Sequence, residues 1–286
     1  MSVSTAELDR TRPGPLRLVH SELLKIRTTN AWWWFALGTL AWTLVALAFN
    51  MWFAYTAMSD PESFGPQMGG LTSPEYHAAN IYTSGQFLGL MFVMLIGILM
   101  VTNEFFHQTA TATFLTTPRR TVVIMSKLAA AVLIGMAFAV VITLIDLAAG
   151  AVFLQTQDVG TMLGEWPVQR AILLNLVGFG VWTVFGVAIG TLITNQLAAT
   201  ITAAVLYLLG TQLAQVVFFV LSAWLDSEAV LQWQVIVPSI ASQVMTVGGE
   251  GIPGTPAWWV GALVLLGYAV VAGAVGILIT RKRDVS

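Results

Sequence analysis

AILLNLVGFGVWTVFGVAIGTLITNQLAATITAAVLYLLGTQLAQVVFFVLSAWL, residues 171–225, holds no charged side chain. A membrane crossing needs about 20 mainly apolar residues, because each helical residue rises about 1.5 Å and the hydrocarbon layer is about 30 Å thick. The run is too long for one crossing. It breaks at its polar point, Thr194-Asn195-Gln196, into helices over 171–193 and 197–223. The same reading, carried outward, finds crossings at 32–53, 84–101, 128–154 and 257–280, six in all. An all-α integral membrane fold is therefore expected.

Composition agrees. Hydrophobic residues make up 57% of the 286, and charged ones only 9%, against about 25% in a soluble domain. The mean hydropathy is +0.81. Twelve basic and 14 acidic residues cannot cover a soluble fold of this size. A cytosolic enzyme and a disordered scaffold are excluded. So is a nucleic-acid-binding module, given a formal net charge of −2 and a pI near 5.9. With no cysteine, disulfides and thiolate chemistry are excluded too.

Residues 229–249 are uncharged but carry Gln232, Gln234, Pro238, Ser239, Ser242 and Gln243. Unpaired amides and a mid-run proline are costly against lipid, so a short re-entrant segment before the last crossing fits better. Orientation follows from the basic residues. Arg10, Arg12, Arg17, Lys25 and Arg27 precede the first crossing, Arg119, Arg120 and Lys127 lie between the second and third, and Arg281, Lys282 and Arg283 follow the sixth. All fall on one side, and only Arg170 falls on the other. The positive-inside rule then puts both termini in the cytoplasm. The expected organisation is a cytoplasmic tail (1–15), an interfacial helix (16–31), a six-helix domain (32–280) and a second tail (281–286).

Leu16, Val19, Leu23 and Ile26 recur at three- and four-residue spacing, with Arg17, Glu22, Lys25 and Arg27 as the polar complement. This predicts an amphipathic helix on the inner interface, its basic groups facing anionic lipid. It serves either as a plain anchor or as a lever, with Glu22, Lys25 and Arg27 as its working residues. Residues 102–120, TNEFFHQTATATFLTTPRR, join the second and third crossings with far more chain than a minimal connection needs. Phe105, Phe106, Phe114 and Leu115 are expected to be exposed there, which suits protein contact. The other reading packs the loop on its own membrane domain.

Glu104-Phe105, Thr109, Phe114-Leu115, Pro118-Arg119-Arg120 and Lys127, in that order and spacing, resemble the pattern shared by ABC type-2 exporter permeases. Ser21-Glu22-Leu23-Leu24-Lys25-Ile26-Arg27 resembles the start of that family's interfacial helix, and Val237-Pro238-Ser239 its proline-containing re-entrant stretch. One departure is Gln108, where the family usually has Gly, and Gly allows turns that Gln resists. The resemblance implies that the loop is a coupling helix seated on a separate ABC ATP-binding subunit. Phe105, Phe114 and Leu115 would be its apolar insert, and Glu104, His107, Thr109, Pro118, Arg119 and Arg120 its surround. It also implies pairing with a second copy or a related permease, and residence in the plasma (inner) membrane of a bacterium.

No G-x-x-x-x-G-K-[ST] occurs, so this chain is not expected to bind a cofactor itself; ATP and Mg would belong to the partner. No G-x-S-x-G or H-E-x-x-H occurs either, and the chain is read as a transport subunit rather than an enzyme. A Glu104–His107 pair on one helical face is expected to be structural. Asp146 is the ionisable group well inside a predicted crossing, a gating candidate by default. It lies about 28 Å along the helix from Lys127, so a wet position at the outer boundary is the plainer reading. Phe87, Met91, Met94, Trp182 and Phe218 are candidates to line an apolar path for an amphipathic drug, antibiotic or lipid. Gly85/Gly89, Gly186/Gly190 and Ala269/Gly273 are small pairs four apart, suited to close helix packing or to contact with a second subunit. A stand-alone secondary transporter or channel would call for more intramembrane charge, and an intramembrane enzyme for a polar cluster at matched depth.

Overall fold

The computed structural model describes residues 14–60, 73–109, 120–248 and 255–282, which contain helices and no strand. In chain order these are α1 (Pro15–Thr28), α2 (Ala31–Ser59), α3 (Pro74–Tyr82), α4 (Gln86–Phe106), α5 (Arg120–Thr156), α6 (Trp166–Leu192), α7 (Gln196–Val205), a π-helical turn (Leu206–Gly210), α8 (Thr211–Trp224), α9 (Ala229–Gln232), a 3-10 turn (Trp233–Ile236), α10 (Pro238–Val247) and α11 (Trp258–Lys282). Six helices or stacked helix pairs are long and apolar enough to cross a membrane: Ala31–Ser59, Pro74–Phe106, Thr121–Thr156, Trp166–Leu192, Gln196–Trp224 and Trp258–Ile279. This is a multi-pass, all-helical membrane fold.

The break expected at Thr194-Asn195-Gln196 has a physical cause. Asn195 turns its side chain back to accept from the Ala198 amide at 3.0 Å, so it ends one helix and caps the next. The second crossing starts earlier than hydropathy suggests. Ser73 caps α3 by accepting from the Tyr76 amide, Pro74 occupies the first helical position, and Thr83–Gly85 only interrupt the run before α4. Its C-terminal end also runs on, so that Thr102 to Phe106 are helical rather than loop. Residues 110–119 lie outside the described residues.

The second span is the centre of the bundle, with 83% of its apolar window buried, against 11% for the fifth and sixth. Glycine permits this. A Cβ on Gly186 would overlap the Met94 carbonyl, and one on Gly97 would overlap the Thr183 carbonyl, so α4 and α6 touch backbone to backbone. Gly190 meets Ile98 in the same seam, and Gly85 and Gly89 face Thr43 and Phe179. Gly273 has open space beside it, so the Ala269/Gly273 pair makes no such close approach among the described residues.

The uncharged stretch after the fifth span forms two short helical pieces bent by 108° at the Val237–Pro238 step. Pro238 lacks an amide proton and so opens α10 at no loss. Its small polar residues face the bundle: Trp182 donates to Ser242 Oγ at 2.7 Å, Ser239 pairs with Thr211 at 2.6 Å, and Thr246 meets Gln86. Ser239, Ser242 and Thr246 thus find partners inside the bundle, whereas Gln232 lies exposed.

Candidate functional site

Three elements converge at one end of the bundle: α1, the last turn of α4 and the opening turns of α5. Val19, Glu22, Leu23 and Ile26 share one face of α1, being three or four residues apart. Ile26 joins a core with Met100, Val101, Ile124 and Ala131, and Val19 and Leu23 pack against it. Glu22 sits in the middle of that face, only 4% exposed. The sequence reading placed it on the polar side, and the structure corrects this. Leu16, assigned to the apolar face, is 82% exposed.

Glu22 is buried because it has partners. Lys25 Nζ lies 2.6 Å from Glu22 Oε1 and 2.6 Å from Glu104 Oε1. Lys127 Nζ donates to Glu22 Oε2, to Glu104 Oε1 at 3.1 Å and to the Met100 carbonyl at 2.9 Å. An ammonium has three protons, and Lys127 directs one to each acceptor. Two carboxylates and two ammoniums thus form a neutral cluster. Only Lys25 reaches water appreciably: its side chain is 41% exposed, against 4–8% for the others. Burial pulls the Lys25 ammonium down, but the Glu104 and Glu22 carboxylates outweigh it and hold its pKa above the ordinary lysine value.

Moving each ion out of water costs several kcal/mol, and only near-ideal geometry offsets it. The cluster therefore holds together or fails as a unit. It ties α1 to both helices that flank residues 110–119, so a displacement of one is carried to the other two. Beside it opens a recess of about 210 Å³ bordered by Lys25, Asn103, Glu104, His107 and Thr109.

The end of α4 resolves the question raised by Gln108. His107 N–H donates to Asn103 O, Gln108 N–H to Phe105 O, and Thr109 N–H to Glu104 O. This is the Schellman cap, which needs a left-handed residue in the position Gln108 occupies. Gln108 has φ 55°, the conformation that favours glycine. The backbone turn is kept without the residue best suited to it.

Other expected site residues fall in different places. Phe105 packs partly buried against the chain's own core, so it is not a free apolar insert; its neighbour Phe106 is 70% exposed. Glu104 turns toward the lysines and not to His107, whose ring sits edge-on to Phe106. Thr109 is in the cap. Arg27 is exposed and stands outside the cluster. Phe114, Leu115, Pro118 and Arg119, and the side chain of Arg120, lie outside the described residues. Met91, Met94 and Trp182 share the central core with Phe87 packed against them, but Phe218 is apart from it. Asp146 is 0% exposed, not wet. Neither of its carboxylate oxygens has a hydrogen bond among the described residues, although the Gly85 backbone amide lies close by.

Lys127 carries more weight than the sequence reading gave it. The available signal was its depth: a lysine seven residues past Arg120, inside an apolar run, requires a counter-charge. Among the described residues no group of three or more His, Asp or Glu is placed to hold a metal. No known protein-family model matches the chain, and no curated protein is significantly similar to it.

Proposed function

We propose that this chain is the membrane-spanning subunit of an ATP-driven exporter of the ABC type-2 class. It forms half of a translocation path in the plasma membrane of a bacterium, with both termini in the cytoplasm. A second copy or a related permease completes the path. ABC ATP-binding subunits, carrying ATP and Mg, dock beneath residues 102–120. The cargo is an amphipathic small molecule, a drug, an antibiotic or a lipid. The bent pair around Pro238 is a re-entrant segment on the outer side.

One observation carries this reading. The Glu22–Lys25–Glu104–Lys127 cluster clamps an amphipathic helix onto both ends of the connection between the second and third spans. A plain membrane anchor has no need of buried charge. A lever moved by a partner does, because the clamp makes α1, α4 and α5 shift together. The test is nucleotide hydrolysis by the assembled complex across a panel of amphipathic compounds. At least one compound is expected to stimulate it, and a Glu22→Gln, Lys127→Met double variant should hydrolyse ATP without that stimulation. Stimulation unchanged in the double variant would count against the lever.

A stand-alone secondary transporter is the second reading, and Asp146 is the feature that favours it, as a buried carboxylate inside a span. The purified chain alone in proteoliposomes would then move solute under a proton gradient without nucleotide.

A further inference from the structure

A cavity of about 390 Å³ lies between the C-terminal half of α6, the middle of the fifth span and of α11, and the bend at Val237–Pro238. Its size falls within the range of small-molecule sites. Its inner wall is made of residues that the bilayer cannot reach from outside: Met94, Trp182 and Ala203 are 3%, 5% and 3% exposed. Its rim, by contrast, is formed by Leu206, Tyr268 and Val271, which are 64%, 43% and 60% exposed. The opening therefore faces sideways, out of the helix bundle.

Two backbone irregularities shape it. The π-helical turn Leu206–Gly210 widens the fifth span where Leu206 and Tyr207 border the cavity, and π turns recur at functional sites. The 108° bend at Pro238 supplies the floor. Polar atoms around it are already engaged. Tyr207 donates to the Phe87 carbonyl at 2.6 Å, Thr211 pairs with Ser239, Trp182 donates to Ser242, and Tyr268 donates to the Ile236 carbonyl at 3.0 Å. Among the described residues, no charged side chain borders it. The cavity thus offers an occupant apolar contact and little else.

We propose that this cavity holds the middle of one acyl chain of a bilayer lipid, entering sideways between the fifth span and α11. At mid-depth in a membrane the surrounding phase is acyl chain, and a wall with its donors and acceptors engaged selects that chain over a headgroup or a charged solute. The site lies within a single subunit and is independent of the ionic cluster and of any ATP-binding partner.

The test uses the full-length protein in vesicles of phosphatidylethanolamine and phosphatidylglycerol. These are doped with a phosphatidylcholine bearing a photoreactive diazirine at the middle of one acyl chain. Illumination and peptide mass spectrometry should find label on Trp182 or Ala203, which bulk lipid does not touch. An otherwise identical probe with the diazirine on the headgroup should leave both unlabelled. Ala272→Phe, or Val275→Phe should the first variant not elute as a single species, fills the cavity and should abolish label at Trp182 and Ala203. Label on outward residues such as Leu213 and Val216 should be retained. Label confined to outward residues in the wild type overturns the proposal, as does inner-wall label from the headgroup probe or inner-wall label that survives a filled cavity. Crosslinking between two subunits through Leu206 or Val271, with no inner-wall label, would assign the opening to a second subunit and also overturn it.

Discussion

Glu22, Glu104 and Lys127 at one end of the bundle, and Asp146 deep in α5, are buried charge-bearing groups, yet only the first set, joined by the part-exposed Lys25, is paired. In the cluster, both oxygens of Glu22 and one of Glu104 face a lysine, and the formal charges sum to zero. At Asp146 both oxygens lack a hydrogen bond among the described residues. Low dielectric strengthens a satisfied network and penalises a lone group, so the two regions must respond in opposite ways to loss of a charge.

The largest effect is expected from Lys127→Met. It leaves two buried carboxylates facing one half-exposed lysine and should cost about 3–5 kcal/mol, the usual penalty for breaking a buried ion pair from one side. Thermal unfolding in nanodiscs reads it. Glu22→Gln added to Lys127→Met should recover part of the loss; a fully additive double variant would break the view of the four groups as one unit. Next comes Gly186→Leu in the α4–α6 seam, where a side chain meets the Met94 carbonyl; overpacking of this kind costs about 1–3 kcal/mol or more. Asp146→Asn should go the other way. Removing an unpaired buried carboxylate should leave stability unchanged or raise it by up to about 1–3 kcal/mol. A clear loss on the same unfolding assay would mean Asp146 is paired in the membrane. The smallest effect is at the helix end beside the cluster. Gln108→Gly should stabilise by about 0.5–1 kcal/mol, because glycine takes the left-handed cap without strain.

Much of the fold was readable from hydropathy, because backbone groups in lipid must be satisfied within a helix and so leave long apolar runs. Asn195 marked its break by the same side chain that caps the next helix. Glu104, Lys127 and the amphipathic helix α1, each singled out in the sequence, meet at one end of the molecule. Direction was what the pattern withheld. Glu22 looked polar and therefore outward, yet its spacing from Val19 and Ile26 puts it on the packed face, and only knowledge of Lys127 as its counter-charge would have turned it inward. Phe105 looked like an exposed insert, but one residue's rotation along a helix separates it from Phe106. Asp146 was placed by counting residues along its own helix, which gives depth and says nothing of which neighbours close over it. In each case the missing information was three-dimensional partnership, which one helix's sequence does not contain.

An external motor seated beneath the second-to-third connection is what the proposed transport cycle requires. Purification of the tagged chain from its native membranes in mild detergent tests this most directly, with mass spectrometry and Mg-dependent ATP hydrolysis measured on the same fraction. The wild type is predicted to bring down a chain carrying G-x-x-x-x-G-K-[ST] together with the hydrolysis, and a Phe114→Asp, Leu115→Asp variant is predicted to lose both while remaining folded. Equal recovery of that chain by the variant, or wild-type protein that moves solute with no nucleotide-binding chain present, would contradict it.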